Sequence, residues 1–494
     1  MIFNIFKKEN IKFFSIISGF IYISCLYFKA LVKGGRWDLN EQIAFAQRLI
    51  SGNSSYANGV TDLFFPSSPY FPGVGFLSYF YSQMGINDVY VNNIIMLITA
   101  VTIGILYFIL LAKLTIRLYP KISSIYVYAA LLLVLMTNFR TFTAYMIEFK
   151  PDTILLLIGM TSFFLLENGK YPRNFNLILV GFLLFISVFF KQSFFLIYFF
   201  CFLLIILNRH ISNVKKMIIF LAYSLVGLLA LYIIFSIENT FYFTVEAMSK
   251  HYTLDAKSII RSFGEAFVNT LIFCIALLYF LSLKYRDFSL ETAESKYFIF
   301  SMAWFLFSAI STTKIGGNRG NVEVGLIVFF PYVIYAIDAF SKQFIKQQHI
   351  NIAYGLALSA LAIFYSGQFI ESTKSYKQKV NRDINSIKYL SEKFKNQKVF
   401  VDGETYIVSK ASGLKIITEA ETVGHFNNII GYDMSRLKNA ILTKEYDLIF
   451  LQDGLTFLLD KDVVKEIEKN YILLDDENLP SSLENLLLIP FKEK

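Results

Sequence analysis

Gly34-Gly35-Arg36-Trp37-Asp38-Leu39-Asn40-Glu41-Gln42 follows directly on an apolar run over residues 12–33, and the rest of the chain is read outward from it. A helix crosses the hydrocarbon core of a bilayer with about 20 mainly apolar residues, which the preceding run supplies. Lys29, Lys33 and Arg36 stand where a cleaved leader would carry small residues, so the run reads as a retained span. The stretch itself opens an amphipathic helix, with Ile43, Ala46, Leu49 and Ile50 on a side suited to the membrane surface. The polar segment 34–90 is far too long for a connector and reads instead as a site.

Composition agrees with a membrane chain. Of 494 residues 55% are hydrophobic and only 17% charged, with 53 Phe and 31 Tyr; an ordinary soluble protein carries about 25% charged residues. Mean hydropathy is +0.52. A disordered, fibrous or conventional water-soluble chain is thereby excluded. The net charge of +9 invites a nucleic-acid reading, but its distribution rejects it. From Ser375 onward there are 17 Lys/Arg against 19 Asp/Glu, whereas the first 374 residues hold 29 against 18. The positive charge lies between apolar runs, where it orients a membrane protein.

Such runs recur near 12–33, 91–112, 122–137, 153–167, 175–190, 194–208, 217–236, 267–283, 297–312, 323–340 and 350–367, giving about eleven expected spans. With the N-terminus cytoplasmic, each short loop on that side is basic: Lys113, Arg117 and Lys121; Lys170 and Arg173; Arg209, Lys215 and Lys216; Lys284, Arg286 and Lys296; Lys342 and Lys346. Every unusual polar cluster then falls on the opposite, extracytoplasmic face. The fold class expected is a mainly α, polytopic membrane bundle over 1–370 with a small extracytoplasmic α/β domain over 371–494. In that tail, 398–402, 414–418 and 447–451 read as strands, and 381–394 and 435–443 as helices. Gly403, Gly413 and Gly424 are isolated, so the tail has no Gly-rich phosphate loop.

Candidate chemistry lies on the outer face. Asp38 and Glu41 sit three residues apart at the start of the amphipathic helix, where an acid also caps the helix and meets its positive end. Arg140, Glu148, Lys150 and Asp152 cluster around the third and fourth runs, with Pro151 suited to the first turn of a helix. Lys191 interrupts two strongly apolar segments, and a cation at membrane depth either snorkels to the interface or serves a ligand. In 311–323, Gly316, Gly317 and Gly320 leave the backbone open to a ligand, and Lys314 and Arg319 bring charge for phosphate oxygens; Glu323 is a lesser candidate. His251 reads as an interfacial hydrogen-bonding residue. Cys25, Cys201 and Cys274 all fall in apolar runs as packing residues, and the four histidines are scattered, so no metal site is assembled.

Asp38 just beyond the first span, the helix ending in Leu49-Ile50-Ser51-Gly52, Tyr56, and Phe65-Pro66-Ser67-Ser68-Pro69-Tyr70-Phe71-Pro72-Gly73 leading toward the second span resemble the GT-C superfamily. More narrowly, they resemble bacterial enzymes of the protein-mannosyltransferase and aminoarabinose-transferase type. The resemblance implies an integral-membrane glycosyltransferase of the bacterial plasma membrane. Its donor would be a polyprenyl-phosphate-linked sugar, and its acceptor a lipid, glycan or protein on the extracytoplasmic side. It implies Asp38 as general base or acceptor-aligning acid. It also implies an acidic and a basic residue of the 140–152 patch at the carrier phosphate, and Lys314 and Asn318 as phosphate or sugar contacts. The family often places a second acid beside the first; here Leu39 intervenes and the next acid is Glu41. A divalent cation would assist the leaving phosphate, though nothing in the sequence demands one. Two other readings share the layout: an O-antigen-type polymerase or ligase, and a transporter or flippase of lipid-linked saccharides. The first favours a late functional loop, and the second charged mid-span residues and pseudo-symmetric halves.

Overall fold

The apolar runs fold as helices, because a chain in hydrocarbon must satisfy its backbone N–H and C=O groups within itself. The computed structural model describes residues 8–33, 37–50, 71–137, 149–167, 172–235, 256–284, 289–311, 319–401, 405–419, 435–450, 459, 461–484 and 486–490. Its helices up to the tail are α1 (Lys8–Lys33), α2 (Trp37–Ile50), α3 (Gly73–Gln83), α4 (Val89–Leu118), α5 (Ser124–Thr137), α6 (Pro151–Leu166), α7 (Asn174–Val188), α8 (Phe194–Leu207), α9 (Asn213–Phe235), α10 (Ala256–Asn269), α11 (Leu271–Lys284), α12 (Ala293–Ile310), α13 (Arg319–Ile327), α14 (Phe330–Phe344) and α15 (Gln347–Lys393). Among the described residues, α1, α4, α9 and α15 are long and apolar enough to cross a membrane, and α5, α6, α7, α8 and α11 are shorter apolar helices. The chain is a multi-pass membrane protein.

In two places the helices depart from the expected runs. The run 323–340 is two helices, because Pro331 lacks an N–H and its ring meets the carbonyl four residues back, at Ile327, where α13 ends. The run 350–367 and the helix expected over 381–394 are one continuous helix, α15, of 47 residues. Residues 368–380 are polar but contain no proline, so nothing in them stops the helix. At 1.5 Å per residue it is about 70 Å long, more than twice the hydrocarbon core, and its polar second half lies beyond any span.

Contacts divide the chain into two units: Met1–Lys29, Ala100–Leu231 and Tyr252–Ser372 form one, and Ala30–Thr99, Tyr232–His251 and Thr373–Lys494 the other. The first is held by aromatic packing. Phe163 stacks on Phe200 with ring centroids 5.8 Å apart, and Phe200 on Phe300 at 4.3 Å, with Tyr297 and Trp304 buried alongside. Elsewhere in it α1, α5 and α15 meet at Ile11, Ala129 and Leu358, where the Ser18 hydroxyl donates to the Leu358 carbonyl at 3.0 Å. Phe175, Ile178, Leu225 and Ile363 are exposed; that surface suits lipid, not water.

The second unit is built on a five-stranded sheet in the order β2-β1-β3-β5-β4, with β1 (Lys398–Val401), β2 (Lys415–Glu419), β3 (Leu448–Phe450), β4 (Tyr471–Leu473) and β5 (Leu487–Pro490). The first three strands, where the sequence places them, are parallel, and β5 and β4 extend the sheet antiparallel. Val399, Phe400, Val401, Leu448, Ile449 and Phe450 are fully buried, as expected of parallel strands covered on both faces. Among the described residues the domain also has helices α16 (Tyr406–Ala411), α17 (Ser435–Leu442) and α18 (Lys461–Asn470).

The apolar face of α2 does not serve a membrane surface. Phe45 lies fully buried in one hydrophobic core with Phe400, Ile449, Leu437 and Ile467 of the tail, with Leu49 and Phe76 packed against it. Ile43 and Ala46 are also fully buried, and Ile50 alone of the four expected interfacial residues is exposed. Protein covers this face because Phe45 and Leu49 complete a core that short strands could not close alone.

At the far end of α15 the carboxylate of Asp476 accepts from the Tyr389 hydroxyl at 2.6 Å and from the Asn478 N–H at 2.9 Å, and pairs with Lys393. Lys393 first, then Tyr389 and Asn478, hold this carboxyl well below the usual carboxylate range. A depressed native value contributes stability that is present above the unfolded value of about 4 and lost as pH falls through the native one. Wild-type melting temperature should therefore drop more steeply below about pH 4 than that of Asp476→Asn, measured by thermal scans of the purified protein. Parallel curves would remove this role.

Candidate functional site

Asp38 is the second residue of α2 and Glu41 lies one turn on; the side chains of both lie outside the described residues. The helix that carries them is fixed by its neighbours. Leu39, Asn40, Gln42 and Ile43 are buried. Pro72 caps α3, and the free N–H of Gly75 in its first turn donates to the Gln42 side-chain oxygen at 3.0 Å. A Cβ at Gly75 would stand 2.6 Å from the Phe45 ring and 3.0 Å from the Gln42 carbonyl, so only glycine permits this approach. In turn, α3 is tied to α4 by a closed polar network. The Ser78 hydroxyl donates to Asn92 Oδ1 at 2.9 Å, and Asn92 Nδ2 donates to the Ser78 carbonyl at 3.0 Å and to Ser82 Oγ at 3.1 Å. Sequence reasoning passed over Gln42, Phe45 and Gly75. The Pro72-Gly73 that starts α3 was the visible part of this arrangement.

In the other unit the structure brings Asp152 and Lys191 together, 39 residues apart in sequence. Lys191 Nζ donates to both carboxylate oxygens, at 2.7 and 2.9 Å. Asp152 sits in the first turn of α6, where the helix end favours an anion, and Lys191 in the tight turn between α7 and α8. The side chains are 15% and 18% exposed, so the pair is strong enough to hold that turn against α6. Lys150 precedes α6 as its cap, extended as a residue before proline must be. Phe149 before it is buried with φ +59°, a left-handed conformation that a bulky side chain rarely adopts. Such strain persists only where the surroundings enforce it, and it concentrates at functional sites. Arg140 and Glu148 lie outside the described residues.

Lys314 and Asn318 also lie outside the described residues, but the helices on either side of them do not. Arg319 is the first residue of α13, with its side chain not described. A Cβ at Gly325 of α13 would come 2.9 Å from Ser308 and 3.0 Å from the backbone of Phe305, so α12 and α13 are in close contact. Glu323, one turn after Arg319, is completely buried. Carboxylates are almost never so unless paired, which makes this residue more than a lesser candidate.

Among the described residues no three His, Cys, Asp or Glu side chains come together as a metal site. Cys25 and Cys201 are buried and Cys274 half-buried, all unbonded to one another. Taken together, the geometry shows an acid-bearing helix held from two sides, and separately, in the other unit, Lys150 and the Asp152–Lys191 ion pair at the start of α6.

No protein-family model and no curated protein matches the sequence. Solved structures do. ArnT of Cupriavidus metallidurans, an aminoarabinose transferase in its apo state, is similar over 94% of this chain and 95% of its own, with a TM-score of 0.57 at 10% identity. The archaeal oligosaccharyltransferase AglB of Archaeoglobus fulgidus, in complex with an inhibitory peptide and a dolichol-phosphate, is similar over 92% of this chain and 69% of its own, with a TM-score of 0.47 at 10% identity. The near-complete match to ArnT, tail included, shows that this chain has the GT-C fold seen in ArnT.

Proposed function

We propose that the chain is an integral-membrane glycosyltransferase of the bacterial plasma membrane. It moves one sugar from a polyprenyl-phosphate carrier to a lipid, glycan or protein acceptor on the extracytoplasmic side. The observation that carries this reading is Asp38 at the start of a rigidly seated helix just after α1, in a fold shared with ArnT.

The reaction is a direct displacement. The acceptor oxygen attacks the anomeric carbon, the bond from that carbon to the phosphate oxygen breaks, and polyprenyl phosphate leaves with the electron pair. Asp38 takes the acceptor's proton, with Glu41 as a second acid one turn away. Charge developing on the leaving phosphate is met by Lys150, Lys314 and Arg319, with Arg140 and Asn318 as further contacts. Lys191 contributes less than its charge suggests, since the Asp152 carboxylate 2.7 Å away largely cancels it. In this reading the pair positions Lys150 by fixing the start of α6, and Glu148 balances the patch. A divalent cation, if used, screens the leaving phosphate.

The test is transfer by the purified full-length protein in detergent, with a polyprenyl-phosphate-linked sugar and no membrane gradient. Appearance of glycosylated acceptor with equimolar polyprenyl phosphate supports an enzyme. Movement of the lipid-linked sugar across vesicles, with no glycosidic bond made, would replace this reading by a flippase.

A further inference from the structure

We propose that the C-terminal α/β domain is the brace that sets the position of the acid-bearing helix α2, with Phe45 as the positioning residue. The inference rests on the role given to Asp38 above and assigns the tail its part in the same reaction.

In the sequence α2 follows α1 across Gly34 and Gly35, and glycine leaves the chain free to turn. The orientation of α2 must come from what it packs against. One hold is α3, through the Gln42–Gly75 hydrogen bond and the edge-on contact of the Phe45 and Phe76 rings, whose centroids are 5.6 Å apart. The other is the tail. Phe45 belongs to the same buried core as Phe400 of β1, Ile449 of β3, Leu437 of α17 and Ile467 of α18. The ring is therefore confined from both sides, by the bare backbone at Gly75 and by the domain core.

Asp38 lies seven residues, about 10 Å, up the helix from Phe45. The residues between them that are described, Leu39, Asn40, Gln42 and Ile43 among them, are buried. Such a segment moves as a lever. A tilt of about 10° at Phe45 shifts the Asp38 backbone by roughly 2 Å. Misplacement of a reacting group by about 1 Å is enough to slow a reaction on the order of 100-fold. A domain with no Gly-rich phosphate loop of its own thus governs turnover without touching the sugar.

The experiment compares Phe45→Ala, Phe45→Leu and Gly75→Ala in the full-length protein. It reads kcat and the KM for the lipid-linked donor, together with hydrogen exchange across 37–50, β1 and β3. Phe45→Ala should lower kcat about 10- to 100-fold with donor KM within about 3-fold. Exchange in α2 should rise while β1 and β3 stay protected. Phe45→Leu should recover most of the turnover. Gly75→Ala should reproduce the loss by displacing the ring, without opening a cavity in the domain core. Where Phe45→Ala also exposes β1 and β3, Gly75→Ala decides alone. Wild-type kcat and unchanged α2 exchange in Gly75→Ala would overturn the brace. Asp38→Asn run alongside separates the two ideas: turnover retained there removes the catalytic reading, while α2 exchange in the Gly75 and Phe45 variants still decides the brace.

Discussion

Asp38→Asn should reduce sugar transfer by about 100-fold or more while leaving the protein folded and able to bind donor. The amide keeps the size and hydrogen-bonding reach of the carboxylate but cannot accept a proton. Asn is as good a residue as Asp at a helix start, so α2 loses only the favourable meeting of a negative charge with its N-terminal end, about 0.3–1 kcal/mol. The seat of the helix is described at other residues: Leu39, Gln42 and Ile43 are buried, and the Gly75 N–H donates to the Gln42 side chain. A large kinetic effect beside a small thermal one is therefore the signature of a group acting on the reaction. Asp38→Glu should fall between, since it keeps the base but moves it by one methylene. Glu41→Gln tests whether the two acids work as a pair. A loss comparable to that of Asp38→Asn means shared work, and a loss under about 10-fold leaves Asp38 as the base. Near-normal turnover by Asp38→Asn would remove the central claim.

The bundle was legible because lipid imposes one rule on every span, and the apolar runs obey it. The turn at Lys191 showed as a cation between two Phe-rich runs, and α7 ends and α8 begins on either side of it. The break at 328–329 was written in Pro331 but was overridden by the apolar run around it. Periodicity told that one face of α2 is buried; it does not tell against what. Ile43, Ala46 and Leu49 read as residues for the membrane surface, and Phe45 went unnoticed, because the partners of this helix, Phe400 and Ile449, lie more than 350 positions away. Strands β4 and β5 were missed although β1 and β3 are as short, because β4 follows directly on the last residue of α18 and β5 ends in Pro490, which argues against a strand. The site was legible residue by residue but not as geometry. Asp152 and Lys191 were each singled out, yet nothing local reveals that one neutralises the other. Lys296 was counted as an orientation charge in a loop; the structure buries it in the first turn of α12.

That burial gives the largest expected effect on stability. Lys296 Nζ lies 2.9 Å from Glu167 Oε1, with side chains 7% and 16% exposed. Glu167 caps the C-terminus of α6, and the Arg117 guanidinium donates to its backbone carbonyl. Both charges are on the wrong ends of their helices: a cation near the start of α12 and an acid at the end of α6 each oppose the helix dipole. The pair survives because each neutralises the other, and removing one leaves the other stranded. For Glu167→Ala the stranded group is a Lys almost wholly out of water, which should cost about 3–5 kcal/mol and lower the melting temperature by roughly 5–10 °C. Lys296→Met should cost less, because Glu167 is the more exposed partner and has the Arg117 guanidinium close by. The double variant Glu167→Leu/Lys296→Met should recover most of the loss, since a buried ion pair replaced by apolar side chains of similar size is often neutral or better. Thermal unfolding of the four proteins in one detergent measures the cycle. If the two single losses are equal and simply add in the double variant, the charges are independent, and the link from α6 to α12 is made by the surrounding aromatic packing of Phe163 and Tyr297 instead.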